Sequence, residues 1–247
     1  MTLNQLIVFE HNYGTAIFQW LLGTTLVCLF ESWITMRLWK RYKRLPQLTA
    51  YNNHFSIADF VTLGRGFLVA CVAGFLFFPE PAGWYKWLPG SLYILAVFAD
   101  YADGYLARLH NSDSEFGAAL DRNFDGLATL IGSLLALLYG HLPSWYLIVG
   151  LAFYVFSLAK WIIKVSEKEV NELPASNYRR IIGGSNALFI GLALTPVLPI
   201  SWFVLPATLF TALILSSFFR DWCSITRGSV IPSVPPKQDQ LKLSLCL

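Results

Sequence analysis

The sequence predicts an all-α protein that crosses a membrane several times. Of its 247 residues, 55% are hydrophobic and only 13% are charged, which is more apolar surface than a soluble domain of this length can bury. Aromatic residues make up 16%, with nine Trp, as expected for a protein anchored at two membrane interfaces. Apolar runs of about 20 residues, enough to cross a bilayer core of roughly 30 Å, recur along the chain. We therefore expect a polytopic transmembrane helix bundle.

Seven segments have this length and composition, and we predict a helix in each. Their ends coincide with sequence that disfavours helix: residues 79–81 and 196–199 each contain two prolines, and residues 140–143 run from Gly to Pro. The polar stretches 40–58 and 166–179 are predicted loops or interfacial segments. The seven helices are expected near residues 15–39, 59–79, 84–109, 117–140, 143–165, 180–198 and 200–220.

The first segment differs from the others because it carries Glu31 and Arg37 but no pattern that suggests chemistry. We interpret residues 1–57 as an accessory transmembrane helix followed by a basic juxtamembrane segment. No basic residue precedes Ala16, and the apolar run after it is too long for a signal peptide, so we expect the helix to be retained. For Glu31 we expect a position near the inner membrane interface, with contact to a partner helix as the alternative.

The distribution of Lys and Arg predicts the orientation of the chain. If the seven segments alternate, all eighteen Lys and Arg except Lys86 lie on or near one side, which identifies that side as the cytoplasm. The N-terminus is then outside and the C-terminus inside. The basic run at residues 37–44 is the strongest of these signals and also suits anionic lipid. The tail, residues 221–247, is expected to be cytoplasmic and disordered.

Neither a nucleic-acid partner nor a cysteine site is expected. The formal net charge of +3 is modest and says little by itself. The cysteines are widely spaced without a CxxC pair, so we interpret them as reduced apolar side chains and not as zinc ligands or disulfides. They are Cys28, Cys71, Cys223 and Cys246.

Four aspartates stand near the junction of the third and fourth predicted helices. Asp100 and Asp103 are spaced i,i+3, and Asp121 and Asp125 are spaced i,i+4, so each pair projects from one face of its helix. The short connection at residues 109–116 makes the two helices antiparallel neighbours. All four carboxylates are therefore expected to converge at one depth, near the cytoplasmic surface.

Such a cluster of acids needs cations in an apolar chain. One Asp in a membrane helix costs about 2.5–3.5 kcal/mol on insertion scales, and four together also repel one another. Carboxylate oxygens without Cys or His suit Mg²⁺ or Mn²⁺, and four negative charges balance two divalent ions. The alternative is that the acids pair with Arg108 and Arg122, or are simply solvated at a helix end. Two correctly spaced pairs, with Gly104, Ala107 and Gly117 beside them, favour the metal site.

The stretch from Asp100 to Asp125 fits the pattern D-x2-D-G-x2-A-R-x8-G-x3-D-x3-D at every fixed position. It resembles the signature of the CDP-alcohol phosphotransferase (CDP-alcohol phosphatidyltransferase) family. The resemblance extends over residues 58–220, for which it implies a six-helix core. The first helix would then be an addition to the family fold, and the tail would also lie outside the core.

The resemblance implies a role for each aspartate. Asp100, Asp103 and Asp121 would bind one metal ion, and Asp100, Asp121 and Asp125 would bind the second. Asp125 would also act as the general base on the acceptor hydroxyl.

The resemblance further implies a nucleotide site around the small residues of the motif. Gly104 and Ala107 would let the cytidine ring pack close to the helix, and Arg108 would meet the nucleotide or its diphosphate. Gly117, one turn before Asp121, would clear space at the same site.

Family members often carry N-x2-T-x2-R early in the first core helix, where this chain has Asp59, Thr62 and Arg65. Thr62 and Arg65 match, and Asp59 replaces the common Asn but still offers an acceptor for a cytosine amine. For Arg65 we expect contact with phosphate, with snorkelling to the interface as the alternative.

The resemblance implies transfer of a phosphatidyl group from CDP-diacylglycerol to an alcohol, with release of CMP, by a homodimer in the membrane. Two alternatives remain open, besides a noncatalytic scaffold, which the complete set of acids argues against. A CDP-amino-alcohol:diacylglycerol phosphotransferase shares the chemistry, although such relatives are generally longer. A divalent-cation or proton transporter also buries acids, but it does not explain Gly104, Ala107 and Arg108.

A second polar group on the predicted cytoplasmic side suggests how the acceptor is held. Its basic members suit a phosphorylated acceptor such as glycerol 3-phosphate or inositol phosphate, with a purely topological role as the alternative. These members are Lys160, Lys164, Arg179 and Arg180. Glycines suited to close helix contacts, within the chain or between subunits, are Gly132, Gly183, Gly184 and Gly191.

Overall fold

A computed structural model describes residues 3–43, 57–78, 80–110, 115–165 and 177–226, with side chains over 14–43, 59–78, 80–102, 116–160, 162 and 178–223. Every regular element in these ranges is helical, which confirms the predicted all-α class. The α-helices are α1 (Leu3–Tyr42), α2 (Ile57–Gly74), α3 (Trp87–His110), α4 (Glu115–Leu138), α5 (Leu147–Val165), α6 (Asn177–Ala193) and α7 (Val204–Thr226).

Three stretches are long and apolar enough to cross a membrane, namely Gly14–Tyr42, Asp59–Phe77 and Ile200–Cys223 within the described residues. A shorter apolar stretch, Ser144–Lys160, lies in and before α5. The chain is therefore an integral membrane protein. The number of crossings and their direction remain predictions.

Helix α6 is shorter than the sequence predicts at its C-terminal end. It begins at Asn177, inside the stretch expected to be a loop, and ends at Ala193 instead of residue 198. The Thr195 hydroxyl donates to the Leu192 carbonyl at 2.6 Å, and Pro196 has no N–H with which to continue the helix. The helix therefore ends before the apolar run ends.

Helices α1 and α7 are both longer than predicted. Helix α1 begins at Leu3, and α7 continues to Thr226, so residues 221–226 are helical and their assignment to a disordered tail was wrong. The physical reason in α7 is Asp221, which is buried and pairs with Arg179 of α6. The rest of the predicted tail, residues 227–247, lies outside the described residues.

Helix α2 is the centre of the bundle because it packs against α1, α3 and α4. Helix α6 packs against α3, α4 and α7, and α5 joins α4 to α7. The largest buried side chains between these helices are two tyrosines that satisfy their hydroxyls. Tyr93 donates to the Ala128 carbonyl at 3.2 Å, and Tyr146 donates to the Asn186 side-chain oxygen at 2.6 Å.

Glycines allow close helix contacts at three of the four predicted positions. A methyl group added at Gly132, Gly184 or Gly191 would fall within 2.7 Å of a side chain on a neighbouring helix, whereas at Gly183 it would meet nothing within 4 Å. Gly184 lies against the hydroxyl of Tyr101, so α6 passes close to the turn of α3 that carries Asp100. These contacts are all within one chain, and the dimer interface remains a prediction.

The last turns of α1 pack against the start of α4. Phe116, Leu120 and Phe124 of α4 form a buried group that we call the α1–α4 cluster, and Trp39 lies edge-on to Phe116 with ring centroids 5.4 Å apart. The other side chains packed on this cluster are Leu38, Tyr42 and Leu63. Helix α1 therefore supports the part of α4 that leads to Asp121 and Asp125.

Glu31 is buried inside the bundle. Its carboxylate faces α2, where it approaches Gly66. Helix α1 also approaches α2 closely at Gly23, where an added methyl would lie 3.1 Å from the Gly74 Cα. The alternative, contact with a partner helix, is what the structure shows.

Candidate active site

Carboxylates from α3 and α4 converge as their spacing predicts. Asp100 of α3 and Asp121 and Asp125 of α4 place oxygens within 4.8 Å of one another. Asp103 lies one turn further along α3, but its side chain is outside the described residues. The structure therefore brings together at least three of the four predicted ligands, contributed by two helices.

The carboxylates keep an accessible side. The side chains of Asp100, Asp121 and Asp125 are 35%, 39% and 54% exposed. Arg122, which lies between the two acids of α4, turns back and donates through Nε to the Ala118 carbonyl at 3.0 Å. Arg122 therefore does not pair with the three acids whose side chains are described, and the side chains of Arg108 and Asp103 lie outside the described residues.

Among the residues whose side chains are described, Arg65 of α2 is the cation that contacts these acids. Its side chain is only 4% exposed, and its guanidinium forms ion pairs with Asp100, with Asp121 at 2.7 Å and with Asp125 at 3.1 Å. A buried guanidinium in contact with three carboxylates is not snorkelling to the interface, so that alternative is also wrong. From the sequence we expected Arg65 to contact phosphate, and we did not expect these aspartates as its partners.

Arg65 shares one face of α2 with the two other predicted nucleotide residues. Asp59, Thr62 and Arg65 follow one another at intervals of three residues, and all three are buried. Gly117 is half-buried one turn before Asp121. For Gly104, Ala107 and Arg108, the structure gives only the helical backbone of α3.

The donor set fits a hard divalent cation. Three carboxylates and one guanidinium leave a formal charge of −2 in a largely apolar bundle, even before Asp103 is counted. Asp121 Oδ1 is buried and lies 2.7 Å from Arg65 Nη2 without the alignment of a hydrogen bond, so it retains acceptor capacity. Clustered carboxylate oxygens are the ligands preferred by Mg²⁺ and Mn²⁺.

The predicted acceptor group is only partly assembled in the described residues. Arg179 donates to Asp221 at 2.8 Å, and Lys160 lies within electrostatic range of Arg179, Asp221 and Arg122. The ammonium of Lys160 also stands 5.0 Å from the centre of the Phe156 ring. Arg180 is exposed, and the side chain of Lys164 is outside the described residues.

Two members of this site were missed by sequence reasoning. Asp221 was assigned to the tail, although no Gly or Pro separates it from Phe219, so the sequence holds no signal that ends the helix before it. Glu31 was noticed but placed in the wrong environment. Both are buried acids whose partners lie far away in the sequence, so local pattern did not reveal them.

Comparison with known proteins gives one family. Residues 55–216, more than half of the chain, match the family described as CDP-alcohol phosphatidyltransferase. No solved structure matches the chain.

Several curated relatives carry the name CDP-diacylglycerol–glycerol-3-phosphate 3-phosphatidyltransferase. The one from Cereibacter sphaeroides is 35% identical over 96 residues, covering 38% of this chain and 42% of that protein. The one from Mycoplasma pneumoniae is 33% identical over 135 residues (49% and 58%), and the one from Escherichia coli K12 is 27% identical over 120 residues (46% and 64%). The chain thus spans about half the length of the relatives that it matches.

Proposed function

Because the chain belongs to the CDP-alcohol phosphatidyltransferase family, we propose that it transfers a phosphatidyl group from CDP-diacylglycerol to an alcohol and releases CMP. The observation that carries the proposal is the convergence of Asp100, Asp121 and Asp125 beside the buried Arg65. Carboxylates and a guanidinium at one point can hold cations and phosphate together, which is what a diphosphate substrate requires.

In this proposal Asp100, Asp103, Asp121 and Asp125 hold two divalent cations, Mg²⁺ or Mn²⁺. Bound there, such ions neutralise the diphosphate and make its phosphorus more open to attack. The helical spacing within each pair supports this assignment, because it puts the two acids of a pair on one face of their helix.

Asp125 is the general base of the proposed reaction. Its side chain is the most exposed of the three described acids, which suits a group that must reach a substrate from outside the bundle. It takes the proton of the acceptor hydroxyl. The oxygen then bonds to the phosphorus that carries the diacylglycerol, the bond from that phosphorus to the CMP oxygen breaks, and CMP leaves with the electron pair.

The nucleotide is proposed to lie between α2 and α3. Asp59 and Thr62 supply hydrogen-bonding groups for the cytosine, and Arg65 supplies charge for the diphosphate. The motif residues of α3 and α4 complete the site by giving space or charge, and they are Gly104, Ala107, Arg108 and Gly117.

For the acceptor we propose a phosphorylated alcohol, with glycerol 3-phosphate as the first candidate. The relatives' names support this choice. Lys160 lies within electrostatic range of both Arg179 and Arg122, the neighbour of Asp121, which supports a basic group there. Arg180 and Lys164 are proposed to extend that group.

The experiment is release of CMP by the purified full chain in detergent. CDP-diacylglycerol is offered with glycerol 3-phosphate, inositol phosphate, serine or inositol, with Mg²⁺ or Mn²⁺ and with chelator. Metal-dependent CMP release with at least one acceptor is expected, fastest with a phosphorylated one. No release with any acceptor would refute the phosphatidyl transfer, and product from CDP-ethanolamine and diacylglycerol would favour the amino-alcohol alternative.

We also propose that the site faces the cytoplasm, with the N-terminus outside, and that the protein is a homodimer. The position of Lys86 relative to the remaining basic residues supports the orientation. In intact cells, a cysteine replacing Lys86 in an otherwise cysteine-free chain should react with an impermeant thiol reagent. A cysteine replacing Lys237 should not, and the reverse result would invert the topology.

A further inference from the structure

Helix α1 lies outside the residues that match the family, yet it packs directly behind the proposed site. The family match covers residues 55–216, whereas α1 ends at Tyr42. The α1–α4 cluster fixes α1 against α4, and the approach of Gly23 to Gly74 fixes it against α2. A side chain of α1 that points into this junction is therefore held in a defined place relative to α2 and α4.

Glu31 is that side chain. It is 6% exposed, and its Oε2 lies 3.1 Å from the point where a Cβ on Gly66 would stand, a point that the Phe124 ring also reaches. Gly66 follows Arg65 and Phe124 precedes Asp125. Among the described residues, Glu31 Oε1 has no hydrogen-bond partner, although the Arg65 guanidinium is close enough to attract it. A buried carboxylate in this state is costly and calls for a reason.

Arg65 supplies the reason. Its guanidinium contacts the same carboxylates that are proposed to bind divalent cations. Cations on those oxygens would repel the guanidinium and compete with it for Asp100, Asp121 and Asp125. A buried arginine that loses its carboxylates needs another negative charge, because an unpaired buried charge is strongly destabilising. Glu31 offers that charge from a third helix.

We propose that Glu31 of α1 is a positioning residue for Arg65: it holds the guanidinium when the aspartates bind divalent cations, and so favours binding of the cations. Glu31 contacts neither substrate nor reacting atoms in this scheme. The first helix is then a functional part of the site, in addition to its role in the membrane. The inference rests on the proposed function, because it requires the aspartates to be the metal ligands.

The experiment is a Mn²⁺ titration of the purified full chain without substrate, read as free Mn²⁺ by electron paramagnetic resonance and as the shift of the unfolding temperature. Glu31→Gln should raise the Mn²⁺ concentration for half-saturation about tenfold, as expected for coupling between two sites. Glu31→Asp, which keeps the charge, should recover most of the affinity. Arg65→Gln should bind Mn²⁺ more tightly than the wild type, because the competing guanidinium is gone.

The double variant decides whether Glu31 acts through Arg65. In the Arg65→Gln chain, the further change Glu31→Gln should alter Mn²⁺ affinity by no more than about twofold. The matched control is Thr24→Val, a buried polar residue two turns earlier on α1, which should leave Mn²⁺ affinity unchanged.

Three results would overturn the inference while leaving the proposed function intact. These are wild-type affinity in Glu31→Gln, a full tenfold loss that persists without Arg65, and an equal loss in Thr24→Val. If Glu31→Gln does not fold, the Mn²⁺ affinities of Glu31→Asp and Thr24→Val are compared instead. Equal affinities, both lower than that of the wild type, would overturn the inference. A wild-type chain that does not bind Mn²⁺ would instead refute the metal centre itself.

Discussion

Two glycines of α2, separated by one residue, should respond in opposite ways to the same substitution. A methyl group at Gly66 would lie 2.5 and 3.0 Å from two ring atoms of Phe124 and 3.1 Å from Glu31 Oε2. A methyl group at Gly64 would meet nothing within 4 Å. Both glycines are inside the helix, so any gain in helix propensity is the same for each.

The magnitude follows from the overlap. Carbon atoms in good contact stand about 3.5–4.0 Å apart, so Ala at 66 overlaps the Phe124 ring by about 1 Å. Phe124 is 1% exposed and closed in by α1, so the ring cannot turn away. Overpacking of this kind costs about 1–3 kcal/mol, and Ala in place of Gly in a helix returns up to about 1 kcal/mol. Subtracting the full helix gain leaves an expected net destabilisation of up to about 2 kcal/mol for Gly66→Ala.

For Gly64→Ala we expect no loss and a gain of up to about 1 kcal/mol. The assay is thermal unfolding of both variants in one detergent, followed by tryptophan fluorescence, where 1 kcal/mol corresponds to about 2–4 °C for a chain of this size. Gly66→Ala should also lower CMP release by more than its loss of folded protein explains, because Phe124 adjoins Asp125. The reasoning fails if Gly66→Ala unfolds at or above the temperature of Gly64→Ala.

Four further outcomes are expected. Asp125→Asn should lower CMP release at least about 100-fold, as for loss of a general base, while the protein still inserts and purifies normally; wild-type turnover would remove Asp125 as the base. Chelation of divalent ions should stop CMP release and lower the unfolding temperature, and Mn²⁺ should restore both; activity that survives exhaustive chelation would contradict the metal centre. Asp221→Asn removes the charge paired with Arg179, so the KM for glycerol 3-phosphate should fall. The same change should lower the free energy of unfolding by about 1–3 kcal/mol. A raised KM would place Arg179 outside the acceptor site. Tyr146→Phe leaves the buried Asn186 oxygen without its donor and should cost about 1–3 kcal/mol in thermal unfolding with little change in KM; an unchanged unfolding temperature would show that water takes the place of the hydroxyl.

Local pattern predicted most of the helices and the convergence of the aspartates. Spacing of i,i+3 and i,i+4 acts within one helix, and a short connection leaves few ways to place the next helix. For that reason Asp100, Asp121 and Asp125 meet as expected. Helix ends were less accurate, because an end depends on contacts such as Thr195 with Leu192, which apolar run length does not report.

The sequence pattern did not reveal which charged residues that are distant in the sequence contact one another. Arg65 meets Asp100 across 35 residues, and Arg179 meets Asp221 across 42. Opposite charges in one chain offer many pairings, and only the packing of α2 on α3 or of α6 on α7 selects one of them. The same holds for Glu31, whose environment is set by the approach of α1 to Gly66 and not by any neighbour in sequence.

The α1–α4 cluster bears on how far the chain can be shortened. Its buried half, Phe116, Leu120 and Phe124, belongs to the family-matched residues, but its cover comes largely from the last turns of α1. A chain trimmed to residues 55–216 would expose three large apolar side chains, two of which directly precede proposed ligands, and it would also lose Asp221. The smallest unit that keeps its shape is therefore larger than the part that relatives share. Swapping this first helix for an unrelated membrane anchor would be a change to the site.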